Sequence, residues 1–215
     1  MERMIDSYEK GTITESNVMS TVDLAFPLLS IKPIPADHGY HLYSALSRVL
    51  PELHQQDGIG IHPIRGQQIG NRQFNLDTRS RLILRTDADA IGQLIQLAGK
   101  PLTIAGITIR VGVPQVWSLK PAPALRSRLV TIKLKDGVTP DTFQLSAREQ
   151  LVALGVSAEA ILTLGKRRTL RIKDKEVVGY EVILEGLTAE ESLNVQEKGL
   201  GGRRHMGCGV FVPLR

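Results

Sequence analysis

Histidine is the side chain whose ordinary pKa lies nearest neutrality, which suits it to proton transfer. Four of the five histidines in this 215-residue chain fall between residues 38 and 62: His38, His41, His54 and His62. Three chemistries compete for them. General acid–base catalysis is the first. Metal binding is the second, and it needs three or four ligands. No cysteine lies nearby and no His-Glu-x-x-His pattern occurs, so no metal or other cofactor is expected. The third is structural, since a histidine at a helix end can simply bond the backbone. The neighbouring carboxylates Asp37, Glu52 and Asp57 read as caps or solvated groups. A Gly-x-Ser-x-Gly elbow is missing, which argues against a serine hydrolase. The lone cysteine, Cys208, is expected to pack rather than to attack.

A second concentration lies at the end of the chain. Gly199, Gly201, Gly202, Gly207 and Gly209 fall within eleven residues, with Arg203, Arg204 and His205 among them. Glycine lets backbone N–H groups approach a ligand closely, and arginine supplies forked donors that match phosphate. The loop fits neither the Walker nor the dinucleotide-binding pattern, so an extended polyanion is the favoured ligand. A third cluster is Lys166, Arg167, Arg168, Arg171, Lys173 and Lys175, with Asp174 the only acid in that stretch. Together with Arg126, Arg128, Arg203 and Arg204, it predicts a continuous basic surface. Such a surface suits RNA phosphates or an RNA groove.

These residues need elements to position them. Residues 18–30 read as a strand. Asp37 is placed near the N-cap of an amphipathic helix carrying Tyr40, Tyr43, Leu46 and Leu50. Pro51 opens a further helical turn holding Glu52, Leu53 and His54. Residues 59–65 and 69–76 read as strand or loop, and 81–85 as a short strand. Asp87 caps a helix through Leu97 that stops at Gly99, and 102–113 is β-rich with a turn at Gly106. Pro121-Ala-Pro123 is a natural linker. After it the pattern repeats: strand 125–134, helix from Thr139-Pro140 to Leu154, strands 161–172 and 177–184, a helix from Thr188 with Glu191 in a capping box, and a last strand over 207–214. Two βαββαβ units predict an α+β fold of tandem ferredoxin-like (RRM-like) domains. The expected division is a polar arm at 1–17, one domain at 18–120 and a second at 121–215.

Composition bounds the rest. A hydrophobic fraction of 42% supports a packed core. A net charge of +5 and a pI near 9.5 favour a polyanionic partner. Only 4% of residues are aromatic, which disfavours recognition dominated by base stacking. One cysteine leaves no disulfide framework and fits a cytoplasmic location. No apolar run reaches the length of a membrane span, and residues 1–17 lack the apolar core of a signal peptide.

The chain resembles the CRISPR-associated endoribonucleases that cut repeat-containing precursor RNA into guide RNAs, the sixth CRISPR-associated protein family. The segment Gly199-Leu200-Gly201-Gly202-Arg203-Arg204-His205-Met206-Gly207-Cys208-Gly209-Val210-Phe211 is similar to that family's glycine-rich loop, and it sits between the last helix and the last strand as the family has it. The helix from Tyr40 followed by Pro51-Glu52-Leu53-His54 is similar to the family segment that ends in a catalytic histidine. Within the family, the chain looks most similar to the cyanobacterial and myxobacterial-type branch.

The resemblance implies a metal-independent transesterification, in which the 2′-OH upstream of the cut attacks the scissile phosphate. It would leave 2′,3′-cyclic phosphate and 5′-OH ends. His54 is the expected base or acid, with His38 and His41 in reserve and Tyr40 or Tyr43 positioning the ribose. No lysine follows His54 closely, so Arg65 or a residue of the glycine loop is expected to stabilise the phosphorane. The implied partners are a repeat RNA stem-loop, met by Lys166, Arg167, Arg168, Arg171, Lys173, Arg126 and Arg128, and other subunits of an effector complex. The loop, through Gly199, Gly201, Gly202, Arg203, Arg204 and His205, would lie against phosphates without itself transferring protons. Two rival readings are a non-catalytic subunit that only holds the stem-loop and a protein-only scaffold.

Overall fold

A computed structural model describes residues 21–30, 32–55, 58–135 and 137–214; the polar arm and Asp57 lie outside the described residues. In the first half, β1 (Thr21–Leu29) and β2 (Ile34–Pro35) lead to α1 (Gly39–Val49) and a 3₁₀ turn at Pro51–Gln55. Then come β3 (Gly60–Ile61), β4 (Gln67–Gln68), β5 (Gln73–Asn75) and β6 (Arg81–Asp87). A short α2 (Ile91–Leu94), β7 (Pro101–Ile104), β8 (Ile107–Val111) and β9 (Gln115–Ser118) complete it. The second half has β10 (Ala124–Val130), α3 (Pro140–Ala153), β11 (Ile161–Ile172), β12 (Lys175–Glu185), α4 (Ala189–Lys198), a 3₁₀ turn at Arg204–Met206 and β13 (Val212–Pro213).

The antiparallel orders are β3-β6-β1-β8 in the first sheet, extended by β7, and β11-β12-β10-β13 in the second. Each is the order of a βαββαβ ferredoxin-like unit, so the fold is the tandem arrangement that the alternation predicts. Each sheet has its own core. Leu24, Phe26, Leu42, Leu46, Leu82 and Leu84 are buried in the first. Leu125, Phe143, Leu151, Val182, Val195 and Phe211 are buried in the second. Local signals set the second-half helices. Thr139 and Thr188 each accept the N3 backbone N–H in a capping box, and Pro140 opens α3. Among the described residues no helix is long and apolar enough to cross a membrane.

Several elements differ from expectation. The helix predicted after Asp87 is broken into 3₁₀, α and 3₁₀ turns. Gly92 inside it weakens the helix, and the Asp87 carboxylate accepts from Thr21 Oγ1 instead of capping. Asp37 does not cap α1 either; His38 holds that position, and Asp37 Oδ2 accepts the backbone N–H of Arg171 across the two halves. The last strand shrinks to Val212–Pro213, because Gly207 and Gly209 take positive φ angles that a strand does not allow. Strand β9 was not foreseen: all four residues are exposed, so no alternation marks it, yet it pairs along β1. Residues 67–76 form a small separate sheet with β2.

One side chain joins the halves. Arg85 on β6 sits opposite Asp23 on β1 in the register and is 1% exposed. Its Nε and Nη2 donate to the two Asp23 oxygens at 2.8 and 2.9 Å. Its Nη1 donates to the carbonyls of Gln196 at 2.9 Å and Phe211 at 2.7 Å, at the end of α4 and just before β13. His62 Nε2 stands 3.4 Å from Asp23 Oδ1. Burial alone would raise the Asp23 pKa, but the bonds from His62 and Arg85 overcome it and hold the carboxyl far below the usual carboxylate range. Burial keeps His62 neutral by lowering its pKa from the ordinary 6.5.

Two outcomes follow from this contact. Arg85→Ala leaves the largely covered Asp23 carboxylate without its cation and two carbonyls of the other half without their donor, and is expected to lower the unfolding free energy by about 3 kcal/mol in urea titrations. The Asp23 contribution is complete above its ordinary pKa of 3.8 and is lost as pH falls through that value toward the lower folded one. Neutral His62 adds a loss that begins below 6.5, because the unfolded chain takes up that proton first. The melting temperature should therefore fall from pH 7 to pH 4, with His62→Gln flattening the upper part of the fall.

Candidate active site and nucleic-acid interface

Helix α1 buries Leu42, Ala45 and Leu46, which leaves the adjoining Tyr43 half-buried at the edge of the core. Pro51 turns the chain back over that edge, and buried Leu53 pins the 3₁₀ turn. His54, next in sequence, is thereby exposed beside Tyr43. The Tyr43 Oη lies 2.7 Å from His54 Nδ1, with the rings edge-on at 5.3 Å. The Tyr43 ring also meets His205 of the glycine loop, at 4.5 Å between ring centroids. Three groups able to hold or move a proton thus come together from two halves of the chain. Burial, then the cation of Arg203 and the nearby His54, lowers the His205 pKa from its ordinary 6.5, so its imidazole is neutral at pH 7.

The other expected histidines lie elsewhere. His38 is 2% exposed. Its Nδ1–H donates to the Pro35 carbonyl at 2.8 Å, and its Nε2 accepts the Ile64 N–H at 3.0 Å. Both nitrogens are engaged, which fixes the neutral tautomer and leaves no lone pair for a substrate; His38 is a structural tie, not a reserve base. His41 is exposed, with its ring edge-on to Tyr40 at 5.7 Å, and is not joined to the cluster. The Cys208 thiol is buried, and burial pushes its pKa up to about 11, as a packed thiol requires. Among the described residues no three His, Cys, Asp or Glu side chains converge as a metal site.

The glycine loop is built differently from the phosphate cradle expected. Its glycine N–H groups are consumed inside the protein. Gly201 donates to Gln150 Oε1 at 3.0 Å, Gly202 to the Thr131 carbonyl at 2.9 Å and Gly209 to the Leu129 carbonyl at 2.8 Å. At Gly209, with φ +65°, an added Cβ would strike the Leu200 carbonyl oxygen. At Gly201, with φ +70°, it would strike that of Thr131. Glycine here lets the loop fold onto β10. Gly199 also takes a positive φ, as the C-cap of α4. What the loop presents is side chains. Arg203, itself at φ +63°, reaches Thr131 Oγ1 at 3.4 Å. Arg204 turns the other way, against Gly60 and toward Arg85, and is not brought to Tyr43. Its Nε and Nη2 have no hydrogen-bond partner, and burial lowers its pKa to about 10.

Beside Met206 and Gly207 opens a cleft of about 300 Å³ between the halves, walled by Asp37, His38, Gly39, Arg72, Arg128, Arg167 and Arg168. Arg128 and Arg167 are exposed. Desolvation at the wall, and then the charge of Arg168, lower the Arg128 pKa. Arg168 Nη2 donates to Glu181 at 3.4 Å, while its buried Nε has no partner. Arg126 is held in an ion pair with Glu181 and is not on the cleft wall. Lys166, Arg171 and Lys173 are exposed along the β11–β12 hairpin, outside the cleft. Arg72 was not foreseen. The signal was Gly70-Asn71-Arg72, a hairpin tip in which all three residues take positive φ and aim the arginine at the cleft.

Comparison with known proteins follows the same outline. Residues 22–215 match the family model described as "Cas6 Crispr". The chain is 45% identical over 197 residues to the "CRISPR-associated endonuclease Cas6" of Myxococcus xanthus (strain DK1622), covering 92% of this chain and 83% of that protein. A solved structure named "CRISPR associated protein Cas6" superposes with a TM-score of 0.65 at 14% identity, over 91% of this chain and 100% of the other. A Cas6-related protein from Pyrococcus furiosus does so at 0.62 and 14% identity, over 91% and 99%. The match of the family model to nearly the whole chain, and a relative of this identity and coverage, show that the chain belongs to the Cas6 family.

Proposed function

We propose that this protein is an endoribonuclease that binds a CRISPR repeat stem-loop and cleaves precursor CRISPR RNA into guide RNAs by metal-independent transesterification. The observation that carries the reading is the Tyr43–His54 pair, which meets His205 of the glycine loop, whose Met206 and Gly207 line an arginine-walled cleft between the two halves. The relative from Myxococcus xanthus, named as an endonuclease, supports it.

The chemistry needs an aligned 2′-OH, proton transfer at two oxygens and positive charge on the phosphorane. With His54 Nδ1–H donating to the Tyr43 oxygen, His54 Nε2 faces solvent and is free to exchange a proton with RNA. Tyr43 fixes the ring and stands where a ribose would lie. Arg203, near enough to act on the His205 pKa, is the cation best placed to meet the developing phosphorane charge. Arg72, Arg128, Arg167 and Arg168 hold the phosphates of the strand entering the site. Lys166, Arg171 and Lys173 on the projecting hairpin meet the stem. Phosphate and shape readout of this kind suits a chain with few aromatics.

In EDTA, the wild-type protein should cleave the repeat RNA of its own locus and leave 2′,3′-cyclic phosphate and 5′-OH ends. A single 2′-deoxy substitution at the cut should block the reaction. His54→Ala should lower the single-turnover rate by about 10²–10³-fold with little change in RNA affinity. Unchanged cleavage by that variant would remove His54 from the chemistry. Arg128→Ala and Arg167→Ala should weaken binding and each reduce the slope of log K against log salt by about 0.7–1, as phosphate contacts require.

A further inference from the structure

The glycine loop brings a titratable ring to the site, and the reading above leaves that ring without a part. His205 lies in the 3₁₀ turn Arg204–Met206, packed against α1 and β3. The groups that face it can be named element by element. From α1 comes Tyr43, whose ring is 4.5 Å away; from the Pro51–Gln55 turn comes His54, bonded to the Tyr43 hydroxyl and near enough to act on His205. Strand β3 contributes Gly60 and Ile61, neither of which titrates. Within the loop, Arg203 acts on His205, while Arg204 turns toward Arg85. Among the described residues no carboxylate is in this set, and the groups that act on the His205 ring all oppose a proton on it.

We propose that His205 is the second proton-transfer group of the cleavage reaction, paired with His54 around Tyr43. The inference rests on the endoribonuclease reading of the same site. Both imidazoles touch one phenol, His54 at its hydroxyl and His205 at its ring, which gathers the two rings at one site beside which a ribose and its 3′-phosphate would sit. His205 is neutral in the folded protein, which suits it to the base half, and His54 then serves as the acid. In the forward step the 2′-O–H proton passes to His205 and the 2′-oxygen bonds to phosphorus. The P–O5′ bond breaks, and the leaving 5′-oxygen takes a proton from the His54 imidazolium. The ring charges exchange, and solvent restores them before the next turnover. No metal, oxidant or other co-reactant enters the balance.

This placement explains why the loop must be held so closely. A general base works only within hydrogen-bond reach of its proton. The bonds from Gly201, Gly202 and Gly209 to Gln150, Thr131 and Leu129 fix the loop that carries His205 against the second sheet. A loop that merely touched phosphates would not need that precision, since phosphate contacts tolerate displacement through long arginine side chains.

The test measures single-turnover cleavage across pH 5–9 for wild type, His54→Ala, His205→Ala and His205→Phe, with RNA affinity measured alongside. His205→Phe keeps an aromatic ring against Tyr43 but carries no proton. Both His205 variants are expected to lose about 10²-fold or more in rate, with RNA affinity within about threefold of wild type. Loss of the base should also abolish the acidic limb of the profile, because that limb records protonation of the base, while the alkaline limb stays. Wild-type rate in His205→Phe would reduce His205 to packing and overturn the proposal, and loss of the alkaline limb instead of the acidic one would overturn its assignment as the base. If His205→Phe is active while His54→Ala is dead, only this proposal falls. If the wild-type protein cleaves no repeat RNA, the endoribonuclease reading falls and this inference with it.

Discussion

The whole arrangement depends on Arg85. It stands opposite Asp23 on adjacent strands and carries a planar fork of donors. Two donors are spent on the Asp23 carboxylate, and the remaining nitrogen donates to two carbonyls contributed by the other half of the chain. A charge so deeply buried is tolerated only if every donor finds a partner. That condition is met at one docking of the second half: the end of α4 and the entry to β13 must both lie over the outward face of the first sheet. Replacing a buried ion pair by well-packed apolar groups is often neutral or stabilising. The value of Arg85 is accordingly its geometry, which sets where the Gln196 and Phe211 carbonyls must be.

The glycine loop spans the interval between those two carbonyls. Gln196 precedes it on α4 and Phe211 follows it, so Arg85 clamps both ends while the Thr131 and Leu129 carbonyls clamp its middle. Positive φ angles at Gly199, Gly201, Gly207 and Gly209 let a short loop make these turns without strain. Its apex, Arg203 to His205, is then carried across to α1. There His205 meets Tyr43, and Arg171 and Asp37 close the joint on the other side of the cleft. Neither half contains the whole cluster, so the site exists only when the halves are docked.

Much of this was legible in the sequence where the signal was local. Capping boxes at Thr139 and Thr188, glycine stops and apolar alternation located both second-half helices and the β11–β12 hairpin. Two rounds of βαββαβ followed from them. The short elements failed for a physical reason: α2 and β9 have neither the length nor the one-sided burial that creates a periodic pattern. Histidine counting also failed to separate His38 from His54. Whether a ring nitrogen is free depends on Pro35 and Ile64 carrying backbone groups to it, which no spacing records. His205 looked like the end of a basic run, because its partner lies in another domain. The Arg85–Asp23 pair did leave a trace: each is a charge set within an apolar strand, Leu82-Ile83-Leu84-Arg85 and Val22-Asp23-Leu24, and opposite charges in such settings tend to be paired.

The electrostatics of the site carry one further consequence. In the protein without RNA, Arg203 and partial burial both oppose a proton on His205. Arginines also wall the adjacent cleft, and of these Arg128 is itself depressed by desolvation and by Arg168. A base is most effective when its pKa lies near the working pH, so on the proposed reading the fields that lower the His205 pKa oppose its work as a base. An RNA strand reverses the local field, since its phosphates neutralise the arginines and add negative charge beside the ring. On the proposed reading, the phosphates held by the arginines would therefore raise the proton affinity of His205 as a 2′-OH is presented to it. On that reading crowding the site with cations is not a cost to proton transfer: binding and activation would be linked through one set of charges, and an arginine that holds the strand would also release the base from its own field.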